Sequence, residues 1–522
     1  MLGANGCDLD WPPPLARGGV GGAAPADGGA GAGGTAGAPN DCAACATLGA
    51  RIHDQKPAAV HPVAAGQDLQ AALDAALPGD ELVLEAGATF GPLEVRSSGA
   101  DGAMITVRTA AADALPGPCT RLRDEDVAVL PKIVGQGGEP ALFAADGVHH
   151  VRFVGIELTV DPDDGSGLPR AVVVIGRGDE SDEAALPSFL ELDRAYIHAN
   201  ADGRPEGVAA NGGDTTIKNS LVTGFHDGHT RGVVIYNGTG PLRLLNDRIE
   251  SFDRMLVVGS DNWTPKIAVP SQIELRYSRL TRPPSWKQPE PAHNYLTGWL
   301  LLANAAHVTV DGNLFDQNWE WSAIELDATN VNVPQVVDDV RFENNVFHAT
   351  PGNQLLRIAS SASPEKITGV RFSNNVADPV SWTFGLWGGA TDLRIVHNTM
   401  LVSGDRMIYA EGVSAGLVFA DNLTGYGQYG VMCGGPSFND CAPTVFPGAT
   451  FTGNVIWGAP LGAASDYPPG NTFAGSEPNF VDPAAGDYTL PVGSPYVGKA
   501  SDGKNPGIDV AALSAAAACR SP

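Results

Sequence analysis

Four basic side chains lie close together near the middle of the chain and are accompanied by aromatic residues. The aromatic members are Trp286 and His293, and the basic members are Arg276, Arg279, Arg282 and Lys287. Aromatic rings stack on the apolar faces of sugars, and the planar guanidinium of arginine forms paired hydrogen bonds with carboxylates. The stretch therefore predicts a platform that binds sugar, with cations available for an acidic one. The alternative is a solvated loop whose positive charges offset nearby acids.

This stretch follows a copy of a repeated sequence motif. The motif has two apolar residues separated by one residue, then two turn-forming residues, often an Asn, and then apolar residues again. The clearest copies are 308–313, 340–345, 370–375, 393–398, 417–422 and 449–454. Earlier copies without the final Asn are centred on Val151/Phe153, Leu190/Leu192, Thr215/Ile217, Leu242/Leu244 and Ile273/Leu275. Successive copies begin about 23 to 39 residues apart, within the range that is typical of stacked repeats.

Each copy predicts a strand, a tight turn and a second short strand. The alternating apolar residues place one face of the strand inward, and Asn tolerates the left-handed backbone region that a sharp turn requires. One coil cannot bury its apolar side alone, whereas stacked coils share a continuous core. The repeats therefore predict an all-β parallel solenoid. We expect the motif asparagines to occupy equivalent turns and to stack as a ladder, in the order Asn345, Asn375, Asn398, Asn422 and Asn454.

Composition and charge exclude several classes of partner. The 522 residues include 65 Gly and 40 Pro, and the formal net charge is −27. Such a charge argues against nucleic acid and against anionic membrane surfaces as partners. An anionic substrate would need a local basic patch or bridging cations. The sequence contains no apolar run long enough to span a bilayer.

The first 60 residues predict a disordered tether. Residues 18–38 are almost wholly Gly, Ala and Pro, which cannot form a core. The first six residues have neither the basic start nor the apolar centre of a signal peptide. A tether of this kind commonly follows an export signal, and Cys7 could carry a lipid, although the residues before it match a lipoprotein processing site poorly. We therefore expect a secreted or cell-surface protein.

The seven cysteines also favour an extracytoplasmic setting. Cys433 and Cys441 flank a loop of Gly, Pro and Asn and are predicted to form a disulfide that closes this loop. Cys42 and Cys45 are expected to form a local disulfide, or a bridge to a distant cysteine, rather than a metal site. Cys519 could tie the Ala-rich tail back to the solenoid.

Both ends of the repeat region resemble a known family. The stretch 68–80, followed by 85–90 and 105–109, resembles the amino-terminal cap and first coil of pectate-lyase-like right-handed parallel β-helix proteins, and the stretch 479–490 resembles their carboxy-terminal end. The resemblance implies a β-helix of about a dozen coils over residues 61–515, with a cap helix at 68–77 and a tail at 516–522. The family includes lyases, hydrolases, epimerases and adhesins, so the resemblance does not fix a chemistry.

Lyases of this fold resemble one another in using a Lys or Arg as the base beside a bound uronate, often with Ca²⁺. A proton next to a carboxylate is too weakly acidic until the charge of that carboxylate is masked. The resemblance implies, as a first hypothesis, an extracellular polysaccharide lyase that cleaves a uronate-containing glycan by β-elimination. Its base and its neutralising cation would come from Arg276, Arg279, Arg282 or Lys287, and the sugar would be held by Trp286, His293, Trp299 and Trp319.

A departure from the resembled proteins supports a second hypothesis. Extracellular β-helix proteins of the most similar kind carry a basic residue, Pro and Ser-Trp, matched here by Arg282, Pro283 and Ser285-Trp286, and then Lys and Glu on the next coil. The corresponding stretch 297–304 lacks those charges. It predicts instead an apolar patch formed by Trp299, Trp319 and Trp321. The protein would then be a non-catalytic surface protein that binds a glycan or a partner.

Two further alternatives are less favoured. Glycoside hydrolysis needs two or three carboxylates around the scissile bond, and only 226–229 (His-Asp-Gly-His) and Asp338-Asp339 approach the patterns of hydrolases with this fold. Acidic turns at 161–164 and 179–183 offer oxygen ligands to Ca²⁺, but solvated loops are the ordinary interpretation.

Two aromatic clusters complete the candidate sites. Trp382, Phe384 and Trp387 could bind sugar or pack under a loop. The adjacent His149 and His150 are predicted to face opposite ways, as strand neighbours do, and therefore not to form one metal site.

Overall fold

The computed structural model describes residues 56–117, 119–163, 165, 167–260, 264–287, 298–318, 322–330, 335–349, 354–361 and 366–520. The predicted tether with Cys7, Cys42 and Cys45 lies outside these residues. The described chain is a parallel β-helix in which each coil contributes one strand to each of three ladders, named A, B and C here. All the pairings between neighbouring strands within a ladder are parallel.

Ladder A contains the first strand of each repeat motif and has fourteen strands, close to the dozen coils expected from the sequence. Their bounds are Val60–Val63, Glu81–Leu84, Ile105–Thr109, His149–Val154, Ser188–Asp193, Thr215–Lys218, Leu242–Leu245, Ser271–Arg276, Ala305–Asp311, Val337–Glu343, Ile367–Ser373, Arg394–Val396, Val418–Ala420 and Thr450–Thr452.

Ladder B begins directly after the Asn turn of each coil. Its strands are Thr89–Phe90, Lys132–Gly135, Glu157–Val160, Tyr196–His198, Leu221–Phe225, Arg248–Ser251, Arg279–Leu280, Leu314–Asn318, Val346–Ala349, Leu423–Gly425, Val455–Trp457 and Thr472–Ala474. Two long strands, Val376–Gly388 and Thr399–Gly412, run through ladder B and continue into ladder C. Ladders B and C therefore merge into one sheet at this point.

Ladder C closes each coil before the chain returns to ladder A. Besides the two long strands, it contains Leu93–Val95, Leu142–Ala144, Ala171–Ile175, Glu206–Ala210, Val233–Ile235, Leu256–Val258, Leu300–Leu302, Ser322–Ala328, Gln354–Ser360 and Val431–Met432. The inward side chains of all three ladders form one continuous core along the solenoid.

The core is covered at its amino-terminal end by a short helix, Leu69–Asp74, which lies within the predicted 68–77. Asp68 begins this helix by accepting a hydrogen bond from the Ala71 backbone N–H. Leu69 and Leu73 are buried against the first coils. A second helix, Phe438–Val445, follows the last strand of ladder C and buries Phe438 and Cys441.

The predicted asparagine ladder is confirmed. Each Asn side chain accepts a hydrogen bond from the backbone N–H of the Asn one coil earlier; the Asn345 N–H, for example, donates to Asn375 Oδ1 at 2.9 Å. The ladder runs from Asn313 through Asn454 to Asn471. In the motif turns the left-handed residue is the one before the ladder Asn, such as Asn344 with φ 55°. The ladder Asn therefore contributes the hydrogen bonds of its buried side-chain amide, and the left-handed backbone is provided by the residue before it.

The chain after the last coils does not fray but folds back along the outside of the solenoid. Residues 479–520, called the strap here, include the helix Val510–Ala517. Along the strap, the Tyr488 hydroxyl bonds to Asp378, and the Ile508 N–H donates to Thr399 Oγ1. Leu513 packs beside Leu314 and neighbouring residues. The expected tail at 516–522 is thus partly helical and docked on earlier coils.

Candidate functional site

The structure separates the predicted basic cluster. Arg276 ends a ladder A strand and points outward, where it pairs with Glu274 at 3.0 Å and Asp311 at 2.7 Å. Arg279 begins the next ladder B strand and faces Asp316 at 3.5 Å. The tight turn between these two strands redirects the chain from one face of the solenoid to another. Arg276 and Arg279 therefore belong to different surfaces.

Arg282 is a structural residue, which corrects its assignment as a base. Its side chain is 1% exposed. Its guanidinium donates to five backbone carbonyl oxygens that belong to three segments of chain, those of Ser251, Phe252, Asp253, Gly298 and Gln317. A guanidinium held in this way is inaccessible to a polymer substrate.

The predicted aromatic contacts divide in a similar way. Trp299 is fully buried, with its ring 5.2 Å from that of Phe315 and 6.0 Å from that of Phe347. It is a core residue, so the expectation that it binds substrate or forms a surface patch is wrong. Trp286 is partly exposed beside His226, at 5.8 Å between rings, and Lys287 is exposed next to it. His293, Trp319 and Trp321 lie outside the described residues.

Trp286 and Lys287 lie on the connection from ladder B to ladder C, next to the outer face of ladder C. Outward residues on successive strands of this ladder are in register. The first five form an apolar strip separate from the main core, in which Ala209, Val234 and Val257 are buried, and the last four are polar, aromatic or glycine: Val174, Ala209, Val234, Val257, Leu301, then Glu325, Arg357, Gly385 and Tyr409.

A pocket of about 390 Å³ lies beside the apolar strip and is lined by Arg170, Arg177 and Tyr236, among others. The guanidinium of Arg170 lies 4.9 Å from the centre of the Tyr236 ring. Arg170 is exposed, and its guanidinium forms no hydrogen bond or ion pair with the residues that the structure describes. It is therefore available to an anion.

The hydroxyl of Tyr236 is held by a buried ionic network. Arg231 donates to this hydroxyl at 3.0 Å and also pairs with Glu206 and Asp253, each at 3.1 Å. Burial and the negative charge of Glu206 raise the pKa of Tyr236. Burial opposes the charge of Arg231, but Tyr236 and the two carboxylates raise its pKa overall. Tyr236 is consequently a protonated hydroxyl that can donate, and Arg231 is permanently charged.

The middle of the face carries ion pairs in register with each other. Arg254, which is almost buried, bonds to Asp253 and to Glu325. One coil further, Arg357 pairs with Asp327 at 3.1 Å. These pairs give the face alternating hydrogen-bond donors and acceptors.

An aromatic platform follows directly after these ion pairs. Trp387 and Tyr409 approach to 4.7 Å, and Trp382 lies 6.0 Å from Trp387. Arg406 lies over the rings of Trp382 and Tyr409, at 5.1 and 5.2 Å. A Cβ at Gly385 would come within 1.7 Å of the Gln354 amide nitrogen, so any other residue here would displace the Gln354 side chain. Of the predicted aromatic cluster, Trp382 and Trp387 face outward.

The pocket and the aromatic platform lie on the same face of ladder C, at different positions along the axis of the solenoid. Five strand spacings separate the strand before Tyr236 from the strand of Trp382, which corresponds to about 24 Å. A polymer of several sugar units could span both. Arg170, Arg231 and Tyr236 could not be grouped from the sequence because their shared face depends on loops of different lengths. The signal in the sequence was their position at the ends of ladder C strands, with Arg170 directly before Ala171–Ile175 and with Arg231 and Tyr236 on either side of Val233–Ile235.

The residues considered for hydrolysis do not form a carboxylate pair across a cleft. Asp338 accepts a hydrogen bond from Thr368. Asp339 pairs with His307 and Arg341 at the outer edge of ladder A, which lowers the pKa of Asp339. His226 contacts Trp286 on a different surface.

The carboxylates of the acidic turns considered for Ca²⁺ accept hydrogen bonds from backbone N–H groups of the same turns. Asp163 accepts from the N–H groups of Gly165 and Gly167, and Glu180 from those of Arg177 and Gly178.

A different group could hold a cation where the strap meets ladder A. His397, Asp421 and Asp502 have ligand atoms within 4.8 Å of one another. Asp421 already accepts from Ser501, and Lys504 Nζ lies 3.5 Å from Asp502. A histidine nitrogen and a neighbouring ammonium fit the all-oxygen preference of Ca²⁺ poorly.

Disulfides are present in the described chain. The expected disulfide between Cys433 and Cys441 is formed, with a Cα–Cα distance of 5.8 Å. Cys119 and Cys519 are also disulfide-bonded. No described helix has the length and apolar character needed to cross a membrane.

Similarity to known proteins is found among solved structures. No protein-family model matches the chain, and no curated sequence is similar to it. Solved structures that are similar include a mannuronic-acid-specific family 6 polysaccharide lyase from human gut microbiota, with 13% identity, a TM-score of 0.45, and coverage of 80% of this chain and 90% of that one. Pectate lyase Pel9A has 14% identity and a TM-score of 0.38, over 88% and 94% of the two chains. An alginate lyase from Paenibacillus has 15% identity and a TM-score of 0.32, over 80% and 98%.

Proposed function

We propose that this protein binds a uronate-containing polysaccharide lengthwise along the outer face of ladder C and cleaves it by β-elimination. The observation that carries the proposal is the pocket at Arg170, where a guanidinium with no ion-pair partner among the described residues lies over the ring of Tyr236, whose hydroxyl is protonated and held by Arg231. With the disulfides in the described chain, we also propose an extracytoplasmic location.

Each group of the pocket has a role in this proposal. Arg170 binds the uronate carboxylate and masks its charge, which makes the neighbouring carbon-bound proton more acidic. Tyr236 donates its proton to the departing glycosidic oxygen, and Arg231 stabilises the tyrosinate that remains. Lys287 is exposed on the connection that enters ladder C two strands beyond Val233–Ile235, outside the lining of the pocket, and we propose it as the base that takes the carbon-bound proton. The platform of Trp382, Trp387 and Tyr409 holds sugar units further along the polymer.

The test combines product formation with binding. The protein is incubated with pectate, alginate, chondroitin and heparan, with and without Ca²⁺, and the ultraviolet absorbance of the unsaturated uronate product is followed. Binding is measured separately by calorimetry with the same polymers. The variants are Arg170→Ala, Tyr236→Phe, Lys287→Ala and Trp387→Ala, and Arg371→Ala, another exposed arginine but on ladder A, is the matched control.

We expect Tyr236→Phe and Lys287→Ala to abolish product formation and to leave binding nearly unchanged. Arg170→Ala removes a charge-assisted contact and should weaken binding by about tenfold or more. Trp387→Ala should weaken the binding of long chains more than that of short ones, and Arg371→Ala should change neither. A product signal that survives both Arg170→Ala and Tyr236→Phe would show that the reaction takes place elsewhere.

A second candidate function is glycan binding without catalysis. It is favoured by the ion pairing of the other described arginines of the face: Arg177, Arg231, Arg254, Arg357 and Arg406. Paired groups of this kind can bind sugar hydroxyls, and the hydrogen bond to Asp146 raises the pKa of Arg177, which keeps this arginine charged. Binding that Arg170→Ala and Trp387→Ala weaken, without product on any polymer, would establish this function instead.

A further inference from the structure

A second pocket lies on ladder A, a different side of the solenoid from the proposed polymer site. Its volume is about 410 Å³, which is within the range of pockets that hold small ligands. Most of its lining comes from four consecutive ladder A strands, on which Glu191, Thr216, Arg243 and Glu274 are neighbours in register. The pocket therefore extends over three strand spacings, about 14 Å along the solenoid.

One wall of the pocket is an exposed aromatic ring that is held firmly in place. Phe189 is 47% exposed, which is unusual for a large apolar side chain in this protein. Its ring stacks on that of His150, with 4.4 Å between centres and 18° between planes. His150 is in turn held by Asp101 at 2.9 Å and by the Nδ1 atom of His149 at 3.0 Å.

The histidine pair departs from the expectation that its members face opposite ways. His150 has φ 57° and Phe189 has φ 51°. The left-handed backbone interrupts the alternation of the strands, so the two histidine rings meet on one side. The same feature directs the Phe189 ring outward over the pocket.

The floor and the opposite wall consist of ion pairs. Lys218 Nζ lies 3.1 Å from Glu191 Oε1, and the Lys218 side chain is only 3% exposed. Arg243 pairs with Asp214, and Arg276 pairs with Glu274 at 3.0 Å. Three cations thus face three carboxylates, and each cation has a partner.

The ion pairs of the pocket disfavour a ligand that carries a net charge. An anion or a cation in the pocket would compete with an existing ion pair and would leave one charged group without its partner. A sugar without charge can donate hydroxyl hydrogens to the carboxylates and accept from the guanidinium groups at the same time. Its apolar face can stack on the exposed ring of Phe189. We infer that this ladder A pocket, formed by the Phe189–His150 stack and the three ion pairs, is a second carbohydrate site that binds a neutral sugar.

The ends of the pocket limit the length of the ligand. Met104 and His150 line one end, and Tyr277 lines the other. Tyr277 is packed against Gly312, at the place where Ala516 of the strap helix also lies. The strap covers the outer surface of later coils, so the open part of ladder A suits a short oligosaccharide or the end of a chain. This inference does not depend on the proposed cleavage along ladder C.

Calorimetry on the full chain tests the inference. The probes are neutral tetrasaccharides of glucose, mannose, galactose and xylose, with tetragalacturonate as the charged comparison. Phe189→Ala removes the exposed ring, and Thr216→Trp fills the pocket from its floor. Tyr196→Ala is the matched control, because Tyr196 stacks on His198 at the same 4.4 Å but on ladder B.

We expect at least one neutral tetrasaccharide to bind. Phe189→Ala should weaken this binding about tenfold, the equivalent of one stacking contact, and Thr216→Trp should abolish it. Tyr196→Ala should leave it unchanged, and thermal unfolding should show that all three variants are folded. The inference is overturned if no neutral probe binds, if Phe189→Ala binds as the wild type does, or if tetragalacturonate binds more tightly than every neutral probe in a manner sensitive to Phe189→Ala.

Discussion

Replacing Arg282 by alanine should destabilise the fold rather than remove a catalytic group. The guanidinium joins the segment 251–253 to Gly298 and to Gln317 through hydrogen bonds of 2.5–3.2 Å. A hydrogen bond to a charged group contributes about 1.5–3 kcal/mol, and a buried carbonyl left without a donor costs about 1–3 kcal/mol. Water entering the space would satisfy part of this loss, so we expect a decrease of about 5 kcal/mol in the free energy of unfolding.

The expected shift in melting temperature follows from the size of the protein. The entropy of unfolding is about 2 cal/mol/K per residue, so a β-helix of this length has about 1 kcal/mol/K in total. A loss of 5 kcal/mol then corresponds to about 5 °C. Differential scanning calorimetry of Arg282→Ala, without any polysaccharide, measures this shift.

Arg394→Ala is the control for this measurement. Arg394 is also an arginine with a carboxylate partner, Asp392 at 2.9 Å, but its side chain is 47% exposed. Exposed ion pairs contribute about 0–1 kcal/mol, so its melting temperature should change by about 1 °C or less. If Arg282→Ala unfolds at the temperature of the wild type, the guanidinium does not hold these segments together. Loss of activity in a stable Arg282→Ala protein would return Arg282 to the list of catalytic candidates.

Three further predictions concern stability. Asn375→Ala interrupts the middle of the asparagine ladder and should lower the free energy of unfolding by about 3 kcal/mol, whereas Asn471→Ala at its half-buried end should lower it by about 1 kcal/mol. Equal decreases for the two variants in denaturant unfolding would show that the ladder does not stabilise the fold as a unit. Burial raises the pKa of Asp247 from 3.8 to about 8, so the folded state holds this proton longer than the unfolded state, and stability falls as pH rises between these values. The free energy of unfolding of Asp247→Asn relative to wild type should therefore increase over this pH range; a difference that is constant with pH would show that Asp247 is ionised in the fold. Replacing Cys433 and Cys441 by serine opens a short loop and should cost about 2.5 kcal/mol by chain entropy, measured as the change in unfolding midpoint.

Much of the architecture could be predicted from the sequence. The spacing of Val340 and Phe342, followed by a turn with Asn345, places two side chains in the core and one amide in the turn. Each of these outcomes depends on residues within one coil. The asparagine ladder then follows because identical turns stack when coils of similar shape are superposed.

The candidate site could be predicted only in part. The loop with Trp286 and Lys287 does adjoin ladder C, and Trp382 and Trp387 do share an exposed face. Arg276 and Arg279 are close in sequence but lie on different ladders, because a turn separates them. Trp299 lies in the bend directly before the ladder C strand Leu300–Leu302, so strand alternation does not determine the direction of its side chain. The sequence pattern does not reveal where this strand starts.

The sequence by itself determined the repeating coil, the cap, the asparagine turns and the strongly negative total charge. These properties depend on local periodicity, on backbone preferences and on total charge, which are all present in the linear chain. The tertiary structure decided that Arg170 and Tyr236 face one pocket and that Phe189 stands over another. It did so because the loops between ladders differ in length, and the register of the stacked coils determines which distant side chains become neighbours.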